Sequence, residues 1–215
     1  MKCVEGNSVI QYWKRYEYTN AGSYTIFIPE ETTASIILVG GGGGGAGAHF
    51  SYWDDIHWGG CGGICSGKGT ISAGTYTLVV GGGGRASTVI PDSGQATRAG
   101  GGGNTSVFGQ IAYGGGGAYA NANYGYNGWN GGSGYVSTSI SGFSGVKGMP
   151  ASYNNYKGYG RGGYGSNTPG YGQNGSGGYA RIDVLSNESD YTYTKVIRTE
   201  KVSKDDNDVY YGIEQ

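Results

Sequence analysis

The apolar residues of this chain are bunched. Residues 24–29 (YTIFIP), 34–39 (ASIILV) and 75–80 (TYTLVV) are compact blocks rich in β-branched and aromatic side chains, each bounded by turn formers. Blocks of that length and make-up predict strands. Nowhere do apolar residues keep a 3.6-residue spacing over three turns, so little or no α-helix is expected. Two flanking stretches alternate instead. Residues 1–20 (MKCVEGNSVIQYWKRYEYTN) interleave aromatic and charged side chains, and 190–202 (DYTYTKVIRTEKV) alternate in the manner of an exposed strand. Either could add to a neighbouring sheet by strand pairing. The plainer reading of the C-terminal end, 203–215 above all, is a solvated tail.

Glycine changes the picture. The chain has 215 residues, 49 of them Gly and 21 Tyr, and 46 of the glycines fall between positions 40 and 178. Average glycine usage is about 7%, so an ordinary enzyme domain is excluded, and with only 4 Pro and no lasting Gly-X-Y register so is collagen. Composition alone suggests disorder, because glycine loses the most conformational entropy on folding. Position argues otherwise. The run 40–45 follows ASIILV directly, 81–84 follows TYTLVV directly, and 100–103 and 114–117 bracket TSVFGQIAY at 105–113. A flexible linker is not interleaved with strand signals in this way.

An ordered polyglycine run must still pair its amides and carbonyls. Without Cβ atoms, extended runs in the polyproline II conformation can lie close together, and three residues per turn points successive amides at successive neighbours. Six glycines would span roughly 19 Å at about 3.1 Å per residue. The chain is therefore expected to build a core of backbone. Its fold class is mainly β with irregular structure, short antiparallel strands around a bundle of packed polyglycine II helices. We divide it into an N-terminal attachment arm (1–20), a glycine-rich domain (21–185) and a C-terminal strand with an acidic tail (186–215).

Charge limits the chemistry. Lys and Arg number 14 against 15 Asp and Glu, a net −1, which argues against a nucleic-acid partner held by bulk electrostatics. Between Asp92 and Asp183 there is no carboxylate, although Arg98, Lys147, Lys157, Arg161 and Arg181 lie inside, so paired-carboxylate catalysis has no place there. The glycine pattern at Gly42, Gly44 and Gly47 fits a dinucleotide fingerprint only trivially, with no helix or ribose-binding acid after it. SGKGT at 66–70 lacks the phosphate-loop spacing, and the arginine-glycine segment YGRGGYG at 159–165 stands alone. No nucleophilic triad is recognisable, so no enzymatic activity and no cofactor are expected. No apolar stretch is long enough for a signal peptide or a membrane span, so the protein is expected to be made in a cytoplasm without membrane insertion.

Two aromatic-rich regions carry the candidate binding residues. AHFSYWDDIHWGGCGGIC, at 48–65, holds Phe50, Tyr52, Trp53 and Trp58. Aromatic loops at the end of a rigid element are the usual anatomy of a binding tip. It also holds His49, His57, Cys61 and Cys65, with Asp54 nearby. Imidazole and thiolate at these positions could bind Zn²⁺, but the spacing is not that of the usual structural sites and glycine between ligands gives no rigid surround. A Cys61–Cys65 disulfide or two free thiols are the readings preferred to metal. The second region, 118–130 with 151–174, offers Tyr119, Tyr124, Tyr126, Trp129, Tyr153 and Tyr156 among Asn, Ser and Gly. Rings supply area for a protein or a sugar face, and amides read hydroxyls. Alternatively these Tyr only cover the polyglycine bundle.

The ordered set YTIFIP, ASIILV, a long Gly run, GTYTLVV into GGGGRA, then GGGGNTSVF and YGGGGA resembles the glycine-rich domains of phage tail-fibre adhesins over about residues 16–185. It is also similar to the glycine-rich extracellular domain of the anaplastic lymphoma kinase receptor family. Both resemblances imply β-strands around a bundle of packed polyglycine II helices. There is no kinase region, and the Tyr/Asn-rich stretches are more like adhesin loops, so the phage resemblance is favoured. It implies a virion protein at a fibre tip, whose partners are a bacterial surface receptor, glycan or outer-membrane protein, and a fibre or other virion protein bound through a terminal arm. The other expectation is a structural virion component, such as a head fibre, capsid decoration or neck/tail protein, whose Tyr-rich surface packs on other subunits.

Overall fold

A computed structural model describes residues 11–50, 53–87, 97–120, 131, 133–148, 156–165, 172–187, 200–201 and 210–211. In chain order the strands are β1 (Gln11–Tyr18), β2 (Gly22–Ile28), β3 (Thr32–Val39), β4 (Ala46–Phe50), β5 (Trp53–His57), β6 (Ile64–Ile71), β7 (Gly74–Val80) and β8 (Thr97–Arg98). They continue with β9 (Thr105–Val107), β10 (Gln110–Ala112), β11 (Tyr119–Ala120), β12 (Val136–Ser137), β13 (Phe143–Val146), β14 (Tyr179–Asn187), β15 (Glu200–Lys201) and β16 (Tyr210–Tyr211). Among the described residues the only helical element is a 3-10 turn, Tyr156–Gly158. The fold is mainly antiparallel β, as the apolar blocks predict. YTIFIP, ASIILV and TYTLVV fall in β2, β3 and β7.

The chain divides into two units. Met1–Trp13 with Leu185–Gln215 form one, in which β15 pairs antiparallel with β16. Lys14–Val184 form the other. Residues 14–20, expected in an attachment arm, lie inside this unit.

Ten of its strands make two five-stranded sheets, in the orders β1-β14-β3-β6-β13 and β12-β10-β9-β7-β2. Side chains alternate across each strand, so one residue in two faces a shared core. Ala34, Ile36 and Leu38 of β3 stand opposite Val184, Ile182 and Ala180 of β14 in register. From the other sheet, Ile26, Ile28, Leu78, Val80 and Val107 meet them. Each fully buried aliphatic side chain contributes about 1.5–3 kcal/mol.

Strand β6 (ICSGKGTI) has a weak strand signal because of its glycines. Gly67 and Gly69 face the core, and the Phe143 ring from β13 lies over them, within 3.0 Å of an ideal Cβ on Gly67 and 2.6 Å of one on Gly69. The ring fills the space that larger side chains on β6 would occupy.

The strands run straight into the polyglycine segments. The central run, 40–45, donates hydrogen bonds with a three-residue repeat. Gly40 and Gly43 reach Gly63 and Gly60; Gly41 and Gly44 reach Gly103 and Gly100; Gly42 and Gly45 reach Ser176 and Gln173. It accepts with the same repeat, from Gly115 and Ala118 on one neighbour and from Gly84 and Ser87 on another, and Gly43 accepts from Gly163 on a third. Six neighbours thus surround it. The three that accept from it run antiparallel, and the three that donate to it run parallel. Around the ring, adjacent runs also bond one another, as in Gly102 to Gly115, Gly103 to Gly82, Gly175 to Gly84, Gly160 to Gly177, Gly62 to Gly160 and Gly63 to Tyr113. This is the pattern of polyglycine II, in which three residues per turn direct amides to different neighbours. Side chains are excluded from it. A Cβ on Gly42, Gly43 or Gly44 would overlap the carbonyl of Arg161, Gly116 or Arg85.

Direction fixes the anatomy. β3, β7 and β10 lead outward into 40–45, 81–87 and 114–118, and the antiparallel runs 59–63, 99–103 and 172–178 lead back into β6, β9 and β14. The two sheets therefore meet one end of the bundle rather than lying around it as expected, because the strands continue directly into the glycine runs. The connections between runs gather at the other.

Candidate functional site

At that far end the central run continues into β4, which forms a hairpin with β5, pairing Ala46 with His57 and Phe50 with Trp53. The parallel neighbours leave the bundle on the same side. Run 114–118 passes into β11, which pairs with β8 through Tyr119↔Arg98 and Ala120↔Thr97. β4 packs against β8 and β11, and β5 against β11. A small buried cluster of Ala46, Ala99, Ala118 and Ala120 lies beneath them. Alanine suits this place, since the backbones are still too close for larger side chains. The run 160–164 ends here too: a Cβ on Gly165 would meet the backbone of Ala46 and His57. Four connections thus leave and re-enter the bundle at one end, spanning 46–58, 88–98, 119–130 and 165–172.

The aromatic candidates divide between the two ends. Phe50 and Trp53 occupy paired positions at the end of the β4–β5 hairpin. Trp58 and Tyr119 are half-buried at the same end. Trp58 stands edge-on to Tyr164, ring centroids 5.1 Å apart. Tyr52, Tyr124, Tyr126 and Trp129 lie outside the described residues, but the ends of the segment holding the last three, Ala120 and Gly131, are both at the loop end, Gly131 donating to the Trp58 carbonyl. Tyr156 begins the 3-10 turn, and Tyr153 lies outside the described residues. The flanks of their segment are at the sheet end: Gly148 donates to Gly134, Gly160 donates to Gly177, and Tyr159 stacks on Tyr179 at 4.9 Å. The bundle thus holds the flanks of Tyr153 and Tyr156 apart from the other candidates.

The His/Cys constellation is also separated. His57 closes the hairpin at the loop end, Cys61 lies within the run 59–63, and Cys65 lies in β6 within the core of the sheets. Eight residues of extended chain cover roughly 25 Å, so His57 and Cys65 do not share a metal. Among the described residues no group of three His, Cys, Asp or Glu side chains converges; the side chain of His49 is outside them. Cys61 and Cys65 are buried and not bridged. The disulfide reading is corrected by geometry: four extended residues span about 12 Å, well beyond the ~7 Å limit for bridgeable Cα atoms. Burial pushes the Cys65 thiol up to about 11, which makes it inert at neutral pH.

Sequence reading missed three polar arrangements. Arg161 lies over the Tyr164 ring, 4.8 Å from its centroid, and donates through Nη2 to the Tyr164 hydroxyl. YGRGGYG is thus a segment of the bundle, with its arginine turned to a neighbouring ring. On the sheet of β14, Arg15 Nε donates to Asp183 Oδ1 at 2.6 Å, and Arg181 Nε lies 3.1 Å from Oδ2. Hydrogen bonding to Asp183, then its charge, raises the Arg15 guanidinium further above its usual value. Tyr179 donates to Glu17 at 2.5 Å. The alternation in YARIDV could have revealed the last two, since it places Tyr179, Arg181 and Asp183 on one face. These contacts fasten β1 to β14.

The fold and its loop end define a class: antiparallel sheets whose strands continue into a polyglycine II bundle bearing its connections at the far end. The chain belongs to the glycine-rich domain family, whose model matches residues 19–203. No curated protein matches it.

Proposed function

We propose that the protein is the receptor-binding tip of a phage fibre, made in the bacterial cytoplasm and carried on the virion. The observation that carries this reading is the sorting of the chain by the bundle, sheets at one end and four connections at the other, three of which bear aromatic residues. The resemblance of the ordered glycine runs to tail-fibre adhesins supplies the setting. The bound partner is a bacterial surface glycan or outer-membrane protein, and binding needs no chemistry on it. Mechanically the bundle pre-organises the connections. The entropy of the glycines is lost on folding, so less remains to be lost when a receptor is bound. Several copies on one particle would turn weak contacts into avidity.

The test is adsorption of fluorescently labelled protein to whole cells of the host bacterium. Trp53→Ala, Trp58→Ala and Trp129→Ala are expected to reduce binding while the unfolding midpoint stays close to that of the parent. Undiminished adsorption in all three would sink the reading.

A further inference from the structure

The five strands of the sheet β12-β10-β9-β7-β2 contain no Asp, Glu, Lys, Arg or His. Its outward positions are mostly hydroxyls, with Thr25 opposite Thr77 and Ser23 opposite Val79. At its border Phe27 is 69% exposed, beside Thr75. That border, β2, has seven residues, and neither a charge nor a proline interrupts it.

Sheet edges offer unpaired amides and carbonyls, and proteins normally blunt them with charges, prolines or brevity. The other three edges follow the rule. β1 carries Lys14, Arg15 and Glu17; β12 has two residues; β13 has four and is followed by Lys147. Among the described residues of these two sheets, β2 alone is an edge both long and uncharged along its length, with Pro29 and Glu30 standing just beyond its end.

We propose that the free edge of β2 is the mounting seam of this domain, taking one extended, uncharged strand from the protein that carries it. The inference rests on the fibre-tip reading and adds to it where the carrier attaches. Strand direction selects the occupant. β7 leads outward into the bundle and β2 is antiparallel to it, so two copies paired antiparallel through β2 would aim their connections in opposite directions. A strand from a carrier leaves one outward-facing end. Such a strand would extend the sheet by main-chain hydrogen bonds and set a small or apolar side chain beside Phe27.

The carrier being unidentified, the probe is a synthetic peptide with the β7 sequence GTYTLVV between lysine pairs, since that sequence already pairs with β2 on its inner edge. Hydrogen exchange of the full chain with the peptide is expected to slow at residues 22–28. Thr25→Lys is expected to weaken peptide binding at least about tenfold, roughly 1.4 kcal/mol, while leaving the unfolding midpoint and cell adsorption intact. Protection elsewhere, equal binding by Thr25→Lys, or a doubling of solution mass that Thr25→Lys abolishes would each overturn the proposal, the last by making the occupant a second copy. Adsorption unaffected by the tryptophan variants would remove the receptor reading without altering the peptide result.

Discussion

Residue 43 shows what glycine does in this protein. Its amide reaches Gly60, its carbonyl receives Gly163, and a methyl group would overlap the Gly116 carbonyl. The obstacle is backbone on both sides, so no side chain can rotate away. Gly43→Ala is expected to cost more than the ~1–3 kcal/mol usual for overpacking, read as a large drop in urea midpoint or failure to fold. Gly101→Ala is the control, because the nearest atom to its Cβ is 3.5 Å away. It is expected to be neutral or to stabilise by about 0.4–1 kcal/mol through the unfolded chain. Cys65 gives a second test. Its thiol is raised from 9.0 to about 11 by desolvation. Above the unfolded value the denatured chain loses this proton while the folded chain keeps it, so this group destabilises the fold as pH rises. Stability should be level up to about pH 9 and fall towards about pH 11, with a shallower fall in Cys65→Ala.

Among the elements, those whose cores are made of side chains were the readable ones. Strands β2, β3 and β7 appear in the sequence as apolar blocks because branched side chains are what buries them. β6 was hidden, since its core positions Gly67 and Gly69 are filled by the ring of Phe143 from elsewhere in the chain. An internal echo was overlooked as well. AGSYT at 21–25 and AGTYT at 73–77 start the paired strands β2 and β7, and in each the Tyr hydroxyl donates to the carbonyl four residues back, Tyr24 to Asn20 and Tyr76 to Ser72, both at 2.8 Å. The β9–β10 hairpin was obscured by its turn. Phe108 and Gly109 have φ of 52° and 73°, the left-handed pair of a type I′ turn that usually reads Asn-Gly. Phe108 is held there by burial and by an edge-on contact with Tyr76 at 4.9 Å. Phe108→Ala is expected to lower stability by about 3 kcal/mol. If the ring contact is responsible for part of this, Phe108→Ala with Tyr76→Ala should cost less than the sum of the two, measured by urea unfolding.

At the scale of the whole molecule, the sequence disclosed that the glycines form a core but not which way each run travels through it. Run direction comes from amide partners far apart in the chain, such as Gly42 with Ser176, and no local pattern encodes those pairings. Direction nevertheless decides which aromatic residues can act together. By composition, Tyr153 and Tyr156 look like Tyr124 and Tyr126, all four lying among Asn and Gly. By topology they separate, because Gly148 and Gly160 fix the flanks of the first pair near the sheets, whereas Ala120 and Gly131 fix those of the second at the loop end. If receptor binding belongs to the loop end, Tyr153→Ala combined with Tyr156→Ala should leave adsorption to host cells unchanged, and Tyr124→Ala combined with Tyr126→Ala should reduce it. Both doubles should unfold near the parent midpoint, since none of the four tyrosines lies within a polyglycine run. Equal loss of adsorption in the two doubles would mean that the contact surface follows the flank of the bundle. A loss confined to Tyr153 and Tyr156 would move the receptor contact to the sheet end, where the free edge of β2 also lies.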